Sequence, residues 1–133
     1  MQLILELRGV EKRFGGVVAL DRADLLCPAG KIVGLIGANG SGKSTMSRII
    51  NGTLQPDAGE FVYQGRRASF RSPMEAARAG ISMVYQNLSL VPDLSVSENI
   101  WLGTEPLGRG GFLDDRAARA RAVELTRELC GWL

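Results

Sequence analysis

Residues 31–45 read Lys31-Ile32-Val33-Gly34-Leu35-Ile36-Gly37-Ala38-Asn39-Gly40-Ser41-Gly42-Lys43-Ser44-Thr45, and the order of residue types here decides how the chain is expected to fold. Residues 32–36 are apolar without alternation, the pattern of a strand buried on both faces of a parallel sheet. Three glycines follow, Gly37, Gly40 and Gly42, with Lys43 directly after the last. Glycine is required where successive backbone N–H groups turn inward around an anion that side chains would obstruct. From residue 42 to about residue 51 the apolar positions Met46, Ile49 and Ile50 keep helical spacing, and Asn51-Gly52 supply a stop. The expected order is strand, glycine loop, helix. Such a helix points its N-terminus, with about half a positive charge and unsatisfied N–H donors, into the loop.

The spacing Gly37-x4-Gly42-Lys43-Ser44 is that of a P-loop, so the expected anion is the phosphate chain of a nucleotide. Lys43 is expected at the β- and γ-phosphates, the Ser44 hydroxyl at Mg²⁺, and Thr45 as a further donor, with Asn39, Gly40 and Ser41 inside the loop. The competing explanation is a chance match in a chain holding 17 glycines. A buried-type strand before the loop and a helix after it weigh against chance.

Bulk composition narrows the function classes. The 133 residues, 45% hydrophobic and 23% charged, suit one domain of ordinary globular composition. A formal charge of +2 argues against a nucleic-acid surface or polybasic membrane patch, which need clustered positive charge. Arg116, Arg119, Arg121 and Arg127 are interleaved with Asp114, Asp115, Glu124 and Glu128, as on a solvated helix face. Cys27 and Cys130 fit no metal or redox spacing and read as reduced packing residues of a cytosolic protein. The opening MQLILELRGVEKR does not read as a signal peptide, and no stretch is long and apolar enough for a bilayer span.

Around the central unit the chain reads as short elements. Strands are expected over residues 3–7 and 19–26, separated by Phe14-Gly15-Gly16, with a third over 60–63 after the turn Gln55 to Gly59. Ser72-Pro73 opens a short helix that Gly80 closes, and residues 81–85 read as a second buried strand. Ser95 and Glu98 have capping-box spacing ahead of Ile100-Trp101-Leu102. Residues 103–113 read as a glycine-rich loop. From Asp114 the stripe Ala118, Ala122, Leu125, Leu129 and Leu133 predicts an amphipathic last helix.

Thirty-six residues precede Gly37, more than many P-loop kinases and GTPases place before their phosphate loop, and no Asn-Lys-x-Asp run reads guanine. With GVEKRFGGVVALDRADL before the loop and GISMVYQNLSLVPDLSVSENIWLG after it, the chain resembles the ATP-binding subunit of an ABC transporter over residues 3–129. The wording SPMEAARAGISMVYQ and the Leu-Asp-Asp-Arg opening of the last helix look most like importers of ribose, xylose and related monosaccharides. The resemblance implies an α/β P-loop NTPase fold, here the N-terminal portion of a cassette. It would have parallel core strands, an antiparallel N-terminal β subdomain and a C-terminal amphipathic helix. It also implies ATP and Mg²⁺ as cofactors, a membrane-spanning permease subunit and a second ATP-binding cassette as partners, and a peripheral place on the cytoplasmic side of the membrane.

In that resemblance Phe14 holds the position of the aromatic that stacks on adenine; read alone it is a core or turn aromatic. Gln86 matches the Q-loop glutamine, the expected catalytic residue, whose amide would reach the magnesium or the attacking water. The expected nucleotide-binding set is therefore Phe14, Gly37, Asn39, Gly40, Ser41, Gly42, Lys43, Ser44 and Thr45, with Ser44 and Gln86 at the metal. The family's LSGGQ-type signature, its Asp-Glu pair after an apolar strand and its switch histidine have no counterpart here; the chain has no histidine. Three readings follow in order: the N-terminal piece of a sugar-importer ATPase, complete in phosphate contacts but not in catalysis; a non-catalytic nucleotide-binding module completed by a second chain; and a small complete P-loop enzyme.

Overall fold

The computed structural model describes residues 2–85 and 90–131, which form two compact units, Met1–Val84 and Tyr85–Leu133. The first unit is built on a long hairpin. β1 (Leu3–Phe14) and β2 (Val17–Pro28) pair antiparallel, from Leu3 opposite Pro28 to Phe14 opposite Val17. Both strands are longer than the sequence predicts, because a register shift between Leu7 and Val10 conceals their continuity. Gly9 sits there at φ 56°, and the Asp24 carboxylate accepts its N–H at 2.7 Å. The bulge is thus satisfied, and Leu5, Leu7 and Val10 all reach the core face.

β3 (Ala58–Tyr63) pairs with β1, and β4 (Arg66–Arg67) with β3, giving the antiparallel order β2-β1-β3-β4. The β3–β4 turn is Gln64-Gly65 with φ 50° and 74°, a two-residue hairpin of the primed kind that suits strand twist. Gln at its first position is why the sequence does not announce it. α1 (Lys43–Ile50) lays Met46 and Ile49 on Leu5, Leu7, Val10, Leu20 and Phe61. Full burial of a residue such as Leu7 contributes about 1.5–3 kcal/mol. Phe70 closes this core edge-on to Phe61, with ring centroids 5.7 Å apart. α2 (Pro73–Arg78) starts as expected, with the Ser72 hydroxyl accepting the Glu75 N–H at 3.2 Å.

Residues 32–36 and 81–85 form no strand, which corrects the two expected parallel core strands. Ile32 and Ile36 are 102% and 99% exposed, and Val84 is 89% exposed. A buried strand is held by ladders at its edges, and every paired strand among the described residues belongs to the antiparallel sheet.

In the second unit α3 (Val96–Trp101) carries both halves of the expected capping box. α4 (Asp115–Cys130) is capped by Asp114, whose carboxylate accepts the Ala117 N–H at 2.9 Å. The Trp101 indole donates to the Ala118 carbonyl at 2.9 Å and joins the two helices. Ala122 of the predicted stripe is buried, whereas Leu125 and Leu129 are exposed; Leu133 lies outside the described residues.

Candidate functional site

The site is built where α1 begins. The N–H groups of Lys43, Ser44 and Thr45 in its first turn find no acceptor among the described residues. Its N-cap is Gly42, which has no side chain to offer, and its first turn holds no acidic residue. α2, α3 and α4 are all capped by a side chain, Ser72, Ser95 and Asp114, and carry Glu75, Glu98 and Asp115 in their first turns. The uncapped helix follows the glycine loop.

Within the loop the Ser41 N–H donates to the Ala38 carbonyl at 3.2 Å, closing a turn with Asn39 and Gly40 at its exposed tip. Lys43 folds back over the loop, its ammonium donating to the carbonyls of Gly37 and Ala38 at 2.7 Å each and to Ser41 Oγ at 3.3 Å. Gly42 is a steric requirement because it meets backbone, whereas Gly37 is approached by a side chain that can turn away. A methyl group on Gly42 would lie 2.6 Å from both the Ala19 carbonyl and Leu20 Cδ2, and one on Gly37 would lie 2.6 Å from Ser41 Oγ. Gly42 also has φ 88°. The helix start is therefore pressed onto β2, with Leu20 behind it. Ser44 is exposed and Thr45 half-buried.

The hairpin carries the aromatic. Lys12 pairs with Leu20, so the two side chains share the hairpin face against which Gly42 packs. Phe14 lies on the same face one step beyond, ~7 Å along the strand at ~3.4 Å per residue. It is 48% exposed, which excludes the core-aromatic alternative for this ring. Lys12 Nζ stands 5.8 Å from the ring centroid and 2.6 Å from Asp57 Oδ1, while Asp57 Oδ2 accepts the Arg13 N–H at 2.7 Å. These donors, Lys12 first and the Arg13 amide second, hold the Asp57 carboxyl below the usual carboxylate range.

The structure thus brings Gly37, Asn39, Gly40, Ser41, Gly42, Lys43, Ser44 and Thr45 into one loop and helix start, and sets Phe14 on the hairpin beside it. Gln86 lies outside the described residues. Sequence reasoning missed Lys12, Asp57, Ala19 and Leu20; a longer, bulged hairpin was the signal that would have aligned them.

The spacing Gly37-x4-Gly42-Lys43-Ser44 on a loop that opens an uncapped helix is that of a P-loop NTPase fold. The chain belongs to the ABC transporter family, whose sequence model matches residues 20–130. It is 47% identical over 129 residues to ribose import ATP-binding protein RbsA 1 of Rubrobacter xylanophilus, covering 97% of this chain and 26% of that protein. It is 53% identical over 102 residues to the fructose import ATP-binding protein FrcA of Rhizobium meliloti, covering 77% and 39%. The solved ADP conformation of MJ1267, an ATP-binding cassette of an ABC transporter, superposes with a TM-score of 0.69 at 25% identity, covering 90% of this chain and 51% of that one. The chain therefore spans about a quarter of the length of the ribose import relative and corresponds to the N-terminal part of a cassette.

Proposed function

We propose that this chain binds Mg-ATP as the N-terminal part of the ATPase subunit of a monosaccharide importer, which couples hydrolysis to transport. The carrying observation is the start of α1: first-turn N–H groups without acceptors, no side-chain cap, and Lys43 beside them on a glycine loop. The ADP conformation of a structural neighbour and the import functions named for the relatives support the same reading.

Among the described residues no group of three or more His, Cys, Asp or Glu is placed to hold a metal. Ser44 is proposed as the residue whose hydroxyl would hold Mg²⁺, an ion that accepts oxygen donors alongside substrate phosphates and water. Gln86 is proposed as a further ligand or as the group orienting the attacking water. When bound, Mg²⁺ would supply neutralisation of the phosphate charge. Phe14 is proposed to stack on the adenine.

Turnover is a separate matter, because phosphoryl transfer depends on positioned charge around the water and the leaving oxygen. The sequence has no histidine and no acidic pair after a run of four apolar residues, so these 133 residues on their own are proposed to bind without hydrolysing. Partners are a permease subunit and a second cassette, with docking at the cytoplasmic face of the membrane. Among the described residues no helix is long and apolar enough to cross it.

Retention of labelled ATP by the native chain and by Lys43→Ala tests the site. Removing a charged hydrogen-bond donor worth about 1.5–3 kcal/mol is expected to weaken ATP at least tenfold. Steady phosphate release should be negligible in both. Equal retention overturns the site, and release abolished by Lys43→Ala overturns the catalytic half of the reading.

A further inference from the structure

Lys12 and Asp57 lie far apart in sequence and meet beside Phe14. Lys12 Nζ is 2.6 Å from Asp57 Oδ1 and 5.8 Å from the Phe14 ring centroid, and the Lys12 side chain is only 14% exposed. Asp57 is itself fixed twice by backbone: its Oδ2 accepts the Arg13 N–H at 2.7 Å, and its own N–H donates to the Glu11 carbonyl at 2.9 Å. Three consecutive residues of β1, Glu11, Lys12 and Arg13, are thereby tied to one aspartate in the turn before β3, and Phe14 follows directly. A phenylalanine ring at the end of a hairpin has two free torsions and no polar atom to anchor it. A cation on one face anchors it and leaves the other face for a flat ligand.

We infer that Asp57 and Lys12 act as positioning residues that hold the Phe14 ring for the purine of the nucleotide. The inference rests on the proposed stacking role of Phe14. Asp57 orients the ammonium, the ammonium orients the ring, and neither touches phosphate. Their contribution therefore appears only with ligands that have a base.

The test measures the affinity of the full chain for Mg-ATP and for inorganic tripolyphosphate, in wild type, Phe14→Ala, Asp57→Asn, Lys12→Met, Lys12→Arg and the double variant Asp57→Asn/Phe14→Ala. A cation–aromatic contact at an exposed site corresponds to about a two- to fivefold change in affinity. Asp57→Asn and Lys12→Met are expected to weaken ATP by that factor and leave tripolyphosphate unchanged. Lys12→Arg should restore ATP binding, and Asp57→Asn should have no further effect once Phe14 is alanine. If Phe14→Ala weakens ATP selectively but Asp57→Asn and Lys12→Met do not, the positioning role is overturned and stacking survives. If Phe14→Ala weakens both ligands equally, or neither, stacking and the positioning role fall together. Equal losses of both ligands in Asp57→Asn and Lys12→Met mark a merely structural ion pair and also overturn the inference.

Discussion

Gly40 and Gly42 share a backbone conformation, φ 84° and 88°, but differ in surroundings: open space around Gly40, and the Ala19 carbonyl with Leu20 against Gly42. The two positions separate the conformational need for glycine from the steric one. Gly40→Ala is expected to destabilise the fold by about 1–2 kcal/mol, the cost of a left-handed L-residue. Gly42→Ala adds overpacking against a backbone carbonyl, which typically costs a further 1–3 kcal/mol. Urea unfolding should show two different midpoints at a common slope, and equal midpoints would contradict the contact with β2. The motif itself was legible in sequence because it is a matter of spacing: Gly37, Gly42 and Lys43 stand at P-loop intervals. The reason Gly42 meets Leu20 was not legible, because that contact crosses more than twenty positions of sequence and depends on where the hairpin's bulges fall.

Elements with a chemical start signal were the ones sequence could place. Ser72-Pro73, the Ser95/Glu98 box and Asp114 each carry their own cap, and α2, α3 and α4 begin where those residues stand. Residues 32–36 and 81–85 had the correct composition for buried strands, yet a strand needs a neighbour, and composition does not supply one. Asn99 also escaped notice. Its amide donates to the carbonyls of Val91, Leu94 and Ser95 and accepts the Val91 N–H at 2.8 Å, tying the approach to α3 onto the helix. The cap of this helix has a pH signature. Glu98 lies below its ordinary range because the Ser95 hydroxyl, and next the Ser95 N–H, favour the carboxylate. A depressed folded value means the stabilisation is complete above the unfolded glutamate value, about 4.3, and is lost as pH falls through the folded value. Backbone carbon shifts of α3 should therefore hold steady from neutral pH to about 5 and move toward coil below about 4, with Glu98→Gln flattening that dependence. An unchanged acid dependence in Glu98→Gln would show that another group controls the helix.

At the scale of the whole molecule, the resemblance to a cassette was readable because its motifs run along nearly the whole chain, and 47% identity over 129 residues bears it out. An exposed apolar edge at residues 32–36 follows from the same resemblance, because the family's further central strands share a sheet with that segment and have no counterpart in these residues. Ile32 at 102%, Ile36 at 99% and Val84 at 89% exposure leave nearly whole side chains in water. Each forgoes the roughly 1.5–3 kcal/mol that burial would contribute, and backbone without a ladder offers edges for pairing. The net charge of +2 supplies little repulsion to oppose association. The chain is therefore expected to self-associate in the micromolar range, where exposed apolar surface and unpaired edges drive aggregation. Sedimentation velocity should show a weight-average size that rises with concentration and rises further in sulfate, which strengthens apolar burial. Ile32→Thr/Ile36→Thr keeps β-branching while removing apolar surface, so it should shift the distribution toward monomer without changing tripolyphosphate affinity by more than about twofold. Association that weakens in sulfate would point to charge as its cause. A double variant that associates as strongly as wild type would free residues 32–36 of responsibility and turn attention to Leu129, the exposed end of the α4 stripe.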